Sequence, residues 1–238
     1  MLKSTGELET YYDKKLVCIY CREPFTSLRI RSRFSIPYQI DSDFCPHYKN
    51  KDVNPYYYYV NVCPKCGFAF SEEFSDKFPL GTKELIKVQI TDQWEKRDYC
   101  KFRDVRLAVN SYKLALLAGS LKKEKHVALG GLCLRLAWIY RMGKNSEQEQ
   151  RFLSLALKEF EESFLSSDYI GSSMSDLKML FICGELHRRL GDFDKAILYF
   201  AKIIEHPQRD EERKMLNMAR EQWRITVEEN RDKKNKKT

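Results

Sequence analysis

No run of about 18 apolar residues occurs in the chain, so no membrane-spanning helix is expected. Residues 1–10 are polar and lack the apolar core of a signal peptide, so export is not expected either. There is no glycine-rich phosphate loop, no nucleophile elbow and no dinucleotide fingerprint, which removes the usual signatures of nucleotide-dependent and hydrolytic enzymes. Histidine is scarce, with four in 238 residues. His126, His187 and His206 are scattered, and none belongs to a His-Glu-x-x-His metal motif. Basic charge is thinner than the net +8 suggests, because the tail 231–238 carries five Lys/Arg against Asp232, half of that excess. The remainder is only mildly basic, which weakens the inference from charge to nucleic acid.

Cysteine, in contrast, is plentiful and patterned. Cys18-x-x-Cys21 and Cys63-x-x-Cys66 supply four thiolates, the full tetrahedral shell of a closed structural zinc site, one ion per chain. Two intervening residues let one tight turn aim both sulfurs at one metal. Pro64 and Gly67 suit that turn, since proline fixes φ and glycine permits a left-handed residue behind the last ligand. The first pair has Arg22 where the second has Gly67. The stretch between the pairs exceeds the about 15–20 residues of a simple ribbon and must form structure of its own. A redox Cys-x-x-Cys would open a helix after a strand, whereas both pairs here follow strand-like runs, Leu16-Val17 and 56–62. Eight cysteines without a signal peptide read as reduced thiols and ligands in a cytoplasmic protein. Cys100, Cys133 and Cys183 sit among apolar residues and read as buried structural thiols.

Three further features lie near the pairs. The stretch 27–36 alternates and predicts a strand with Arg29, Arg31 and Arg33 on one face. That face would either track phosphates or be the solvated side of an edge strand, and three arginines fall short of a basic patch. Asp41, Asp43, Cys45 and His47 crowd one loop, and could serve a second metal or a thiol-based reaction centred on Cys45. The plain alternative is that Asp41 and Asp43 cap turns. After the Asn54-Pro55 turn, Tyr56 to Val62 predicts a strand entering the second knuckle.

Beyond Thr82 the apolar period becomes helical, with helices expected over about 82–96, 103–118, 125–142, 146–166, 175–190, 192–205 and 209–229. The fifth and sixth match the tetratricopeptide pattern, with Gly184 at the small position of the first helix and Ala196 and Phe200 in the second. His187 stands where an aromatic is expected, and Pro207 comes at the end. Ala137, Tyr140, Ala156 and Phe160 form a degenerate copy with a longer turn. The expected fold is α+β: a β-rich, zinc-ribbon-like module over about 1–80, a tetratricopeptide-like helical domain over about 81–230, and a basic, disordered tail over 231–238. The concave face of such a stack binds a peptide or another protein.

The chain also resembles a bacterial family, domain of unknown function 2225. The likeness rests on Cys18-x-x-Cys21, Asp41-Ser42-Asp43-Phe44-Cys45, Asn54-Pro55-x-x-Tyr58 and Val62-Cys63-Pro64-x-Cys66-Gly67. In the helices it rests on 111–116, on Leu136-Ala137-Trp138-Ile139-Tyr140-Arg141, and on Gly184-Glu185-Leu186-His187-Arg188-Arg189-Leu190-Gly191. Arg22 and Lys101-Phe102-Arg103 depart from the family pattern. The resemblance implies the two-part architecture and no reaction. The expected function is a non-catalytic zinc-binding adaptor for a protein partner. The alternatives are a nucleic-acid binder using Arg29, Arg31, Arg33 and the tail, or a thiol enzyme or redox protein centred on Cys45.

Overall fold

The structure, a computed structural model, describes residues 9–50 and 53–235. Short antiparallel strand pairs are followed by helices, an α+β arrangement. The chain forms two compact units. One takes the chain up to Gln39 together with Pro46–Lys123, and the other takes Ile40–Cys45 together with the chain from Glu124 onward. Sequence patterning draws a single boundary near residue 80. The difference comes from a helix that packs with the strands and from a loop that joins the later helices.

In the first unit, β1 (Tyr11–Val17) pairs antiparallel with β2 (Pro24–Ile30), Val17 opposite Pro24, so this hairpin turns through Cys18 and Cys21. β3 (Gln39–Ile40) and β4 (Pro46–His47) make a minimal pair. β5 (Asn61–Val62) pairs antiparallel with β6 (Ala69–Phe70), and this hairpin turns through Cys63 and Cys66. Two expected strands are shorter than their alternation suggests. β2 stops at Ile30 and Ser32–Phe34 coils into a 3-10 turn, so Arg29, Arg31 and Arg33 do not share one strand face. Likewise Pro55–Tyr58 is a 3-10 turn, because the Asn54 side chain accepts from the Tyr56 N–H at 2.9 Å and Pro55 presets φ.

α1 (Thr82–Ile86) passes into a single π-turn, Lys87–Thr91, instead of running straight to residue 96. The chain then lays Trp94 on the second knuckle, where its indole N–H donates to Pro64 O at 3.2 Å. α2 (Val105–Lys122) is capped by Asp104, which accepts from Leu107 N–H at 2.7 Å. It packs on α1, β5, β6 and the Pro55–Tyr58 turn. Tyr112 anchors it, stacking on Tyr59 at 6.2 Å and donating to Tyr56 O at 3.0 Å. This packing is why α2 belongs with the knuckles.

The second unit contains α3 (His126–Met142), α4 (Ser146–Ser166), α5 (Asp176–Arg189), α6 (Phe193–Ile204) and α7 (Arg213–Asn235), each packed on the next. Asn145, Ser175 and Asp192 set three of the starts by accepting a backbone N–H three residues on. Leu177, Leu180 and Phe181 of α5 form a core with Ala196, Phe200 and Ile203 of α6 and with Met215 and Ala219 of α7. Helices approach closely at two glycines. A Cβ on Gly184 would lie 2.9 Å from the Phe200 ring, and one on Gly130 would lie 2.9 Å from the Phe160 ring. The pattern assigns the first contact; for the second it points to Ala137, whereas Gly130 makes it. α7 continues through Asn235, beyond the expected end at 229, so 231–235 are helical and not a disordered tail. Lys233 Nζ donates to Gly191 O at 2.7 Å and Lys234 lies 3.5 Å from Asp194, two ties that hold this end. Residues 236–238 lie outside the described residues. No helix among the described residues is long and apolar enough to cross a membrane.

Candidate functional site

Both knuckles are built by the same backbone bonds. Cys18 N–H donates to Glu23 O at 2.9 Å and Arg22 N–H to Cys18 O at 3.0 Å; Cys63 N–H donates to Phe68 O at 3.0 Å and Gly67 N–H to Cys63 O at 2.9 Å. The residue four after the first cysteine is left-handed in each, Arg22 with φ 63 and Gly67 with φ 72. Arg22 therefore makes the turn that glycine makes in the other knuckle. Gly67 is needed for a second reason, since a Cβ there would lie 2.4 Å from the Trp94 indole.

These turns converge four sulfurs. Cys18 Sγ is 3.8 Å from Cys66 Sγ, Cys21 Sγ is 3.7 Å from Cys63 Sγ, and all four lie within 4.8 Å of one another. Four thiolates bound tetrahedrally at about 2.3 Å have sulfur–sulfur edges of about 3.8 Å. The residues present thus fit a metal ion. Charge in the cluster is shared unevenly: hydrogen bonds from Cys18 and Cys66 hold the Cys63 thiol low, while those contacts push Cys18 and Cys66 up. A central cation would relieve that competition by favouring four thiolates at once. None of the eight cysteines is in a disulfide. Burial raises the Cys133 thiol to about 12 and pushes Cys100 and Cys183 up as well.

The second candidate stretch is divided. Asp41, Ser42, Asp43, Phe44 and Cys45 belong to the helical unit, whereas His47 belongs to the knuckle unit, its ring 6.3 Å from Tyr38. Asp41 and Cys45 bring their side-chain oxygen and sulfur within 4.8 Å. Asp43 is fully buried. Arg141 grips it with Nη2 2.6 Å from Oδ2 and Nη1 3.0 Å from Oδ1. Trp138 Nε1 donates to Oδ2 at 3.2 Å, Arg189 Nη2 lies 3.2 Å from Oδ1, and Cys45 N–H donates to Oδ1 at 3.4 Å. Arg141 also holds Asp41 at 3.0 Å and Glu149 at 2.7 Å. Glu185, equally buried, accepts from Ser42 Oγ at 2.6 Å, Arg189 Nε at 2.8 Å and Arg188 Nη2 at 2.8 Å. Phe44 adopts φ 66 and sets its ring 5.5 Å from Phe181.

The electrostatics follow. Burial alone would raise the Asp43 carboxyl, but the Arg141 hydrogen bond and the charges of Arg189 and Arg141 outweigh it and hold it below the ordinary carboxylate range. Cys45 goes the other way: burial, then the Asp43 charge, push its thiol up to about 12. That is the reverse of an activated nucleophile. Sequence reasoning missed Trp138, Arg141, Glu185 and Arg189 as partners of this loop. The available signal was charge on apolar helices, Glu185 lying between the buried Cys183-Gly184 and Leu186 of α5.

Two of the three arginines are hydrogen-bonded within the chain, and the third, Arg33, is exposed. Arg29 donates to Asn61 Oδ1 and, at 3.1 Å, to Leu28 O. Arg31 donates to Glu9 O at 2.9 Å and covers the Tyr12 ring at 5.3 Å; Arg33 lies 4.6 Å from the Phe34 ring centroid.

No curated protein and no solved structure matches the chain. The model of a family described as uncharacterized proteins conserved in bacteria, DUF2225, matches residues 11–226. Both knuckles and the stretches that meet around Asp43 fall inside that match, and the chain belongs to this family.

Proposed function

We propose that the chain is a non-catalytic interaction protein whose knuckle unit is stapled by one structural zinc ion held by Cys18, Cys21, Cys63 and Cys66. The observation that carries the reading is the convergence of four sulfurs, two of their separations being 3.7 and 3.8 Å and all lying within 4.8 Å of one another, with both knuckles ending in the same left-handed turn. Four protein ligands leave no open position, which suits a structural and not a catalytic ion. Eight cysteines outside any disulfide suit a reducing, cytoplasmic setting. The helical unit supports the second half of the reading. Its glycine-under-phenylalanine contacts, Gly130 with Phe160 and Gly184 with Phe200, suit stacked tetratricopeptide-like pairs, a kind of stack whose faces dock protein or peptide partners. The raised Cys45 thiol, and the bonding of Arg29 and Arg31 within the chain, favour this over a thiol enzyme or a nucleic-acid binder.

The test is metal content of the full chain, with a parallel count of thiols that react under native conditions. One zinc per chain with the four knuckle thiols protected is expected. Binding of that ion contributes about 10 kcal/mol or more of folding free energy, so Cys63→Ser should lose the metal and unfold the knuckle hairpins while helical circular dichroism persists. A metal-free chain with all four thiols reactive overturns the zinc reading. For the partner, cross-links formed in cells should fall on lysines of α3–α7; cross-links confined to the knuckle unit would overturn the docking half.

A further inference from the structure

Among the described residues, two guanidinium groups of the knuckle unit, Arg103 buried and Arg29 half-buried, have no carboxylate partner. Arg103 is 5% exposed. Its Nε donates to Tyr99 O at 2.7 Å, its Nη1 to Val60 O at 2.8 Å and Tyr57 O at 3.0 Å, and its Cζ lies 5.7 Å from the Tyr58 ring centroid. Its Nη2 is buried without a hydrogen-bond partner. Among the described residues, Arg29 binds only the oxygens of Leu28 and Asn61. Glu72 acts on Arg29 from a distance and is itself hydrogen-bonded to Lys14. Asn61 is fully buried; Arg29 takes its Oδ1, and its Nδ2 has no partner. Ser27 is two residues before Arg29 on the same face of β2, fully buried, with an unpartnered Oγ.

These groups share one place. Arg103 is bonded to residue 60 and Arg29 to residue 61, so the two guanidiniums reach consecutive residues of β5 and the turn before it. Each feels the environment: burial lowers Arg29, and burial followed by the Arg29 charge lowers Arg103 to about 10. Buried charges are paired and buried donors bonded as a rule. Here two positive charges and two orphan N–H groups, Arg103 Nη2 and Asn61 Nδ2, lack both a counter-charge and an acceptor.

We propose that Arg103, Arg29 and Asn61, with Ser27 as a fourth contact, form a buried site for a small monovalent inorganic anion of chloride size. Such an ion accepts from several donors at once and supplies the missing negative charge. A water molecule could accept from two of them but would bring no charge. A nucleic-acid phosphate could not reach Asn61 and Ser27, which are fully buried, or Arg103, which is 5% exposed, so the site is distinct from a phosphate-tracking surface.

The test uses the full, metal-loaded chain. Its thermal midpoint is measured as chloride replaces gluconate, which is too large to enter, at constant ionic strength. A rise of about 5–10 °C is expected by the time chloride stands about a hundredfold above its dissociation constant, and it should grow with the logarithm of chloride concentration. Bromide should give an anomalous peak beside Arg103 Nη2 in crystals. Asn61→Asp places a carboxylate where the anion would sit; it should abolish the chloride dependence and hold the midpoint in gluconate at or above that of the unaltered chain in chloride. A midpoint indifferent to chloride, with no bromide peak, overturns the site and leaves a buried water only. So does an Asn61→Asp protein that folds and keeps its chloride dependence.

Discussion

Replacing Asp43 by asparagine should destabilise the helical unit by about 3–5 kcal/mol, the cost of removing one partner of a buried ion pair. The structure explains why the upper part of the scale applies. Asp43 is fully buried and takes two bonds from Arg141, one from Trp138 Nε1 and one from Cys45 N–H, with Arg189 3.2 Å away. Asparagine keeps one acceptor oxygen but turns an NH2 group towards a guanidinium and leaves Arg141 with only Asp41 and Glu149. Urea unfolding of the metal-loaded chain, followed by near-ultraviolet circular dichroism of the tryptophans, reads the loss. A cycle with Arg141→Met should return a coupling of about 2–3 kcal/mol. The pH dependence has a defined sign. The folded Asp43 carboxyl lies below its unfolded value of about 3.9, so the unfolded state binds the proton more readily. Its contribution is complete above about pH 5 and is lost as pH falls through the lowered folded value. The difference between the two proteins should be flat at neutral pH and shrink in acid. A loss under about 1 kcal/mol, the range of exposed ion pairs, or a difference that grows in acid, would refute the reasoning.

Three substitutions test the turns and helix contacts. Gly67→Ala adds a Cβ 2.4 Å from the Trp94 indole at φ 72, and should cost about 2–4 kcal/mol in the knuckle unit, read as a lower unfolding midpoint and faster metal release to a chelator. Arg22→Gly removes the strain of a non-glycine residue at φ 63 and should stabilise the same unit by up to about 1 kcal/mol; a lower midpoint would contradict the shared geometry of the knuckles. Gly184→Ala meets Phe200 at 2.9 Å and should cost about 1–3 kcal/mol, whereas Gly143→Ala, with nothing nearer than 3.5 Å, should be close to neutral; equal effects would deny the close helix approach.

What the sequence disclosed and what it hid divide by the range of the forces involved. The paired cysteines were legible because a Cys-x-x-Cys turn is local, closed by bonds such as Gly67 N–H to Cys63 O. Helix starts were legible to within a few residues, since Asp104, Ser175 and Asp192 cap through atoms three residues away. Alternation was a poorer guide. The Tyr56–Val62 run reads as a strand, yet Asn54 and Pro55 impose a 3-10 turn that alternation does not record. Least legible was the destination of Asp41–Cys45, because Asp43 meets Arg141 across 98 residues and Ser42 meets Glu185 across 143. A charge argument still leads there. Glu185 sits fully buried among Phe181, Ile182 and Leu186, and a carboxylate so placed must find cations. Arg188 and Arg189, one turn further along α5, supply them. Arg189 then has a nitrogen to spare, and Arg141 stands at the end of another apolar helix with the same need. Two guanidiniums held at the edge of a buried core require an acidic segment from elsewhere, and Asp41-Ser42-Asp43, followed by the aromatic Phe44 that packs on the same core, provides both the charge and the apolar anchor.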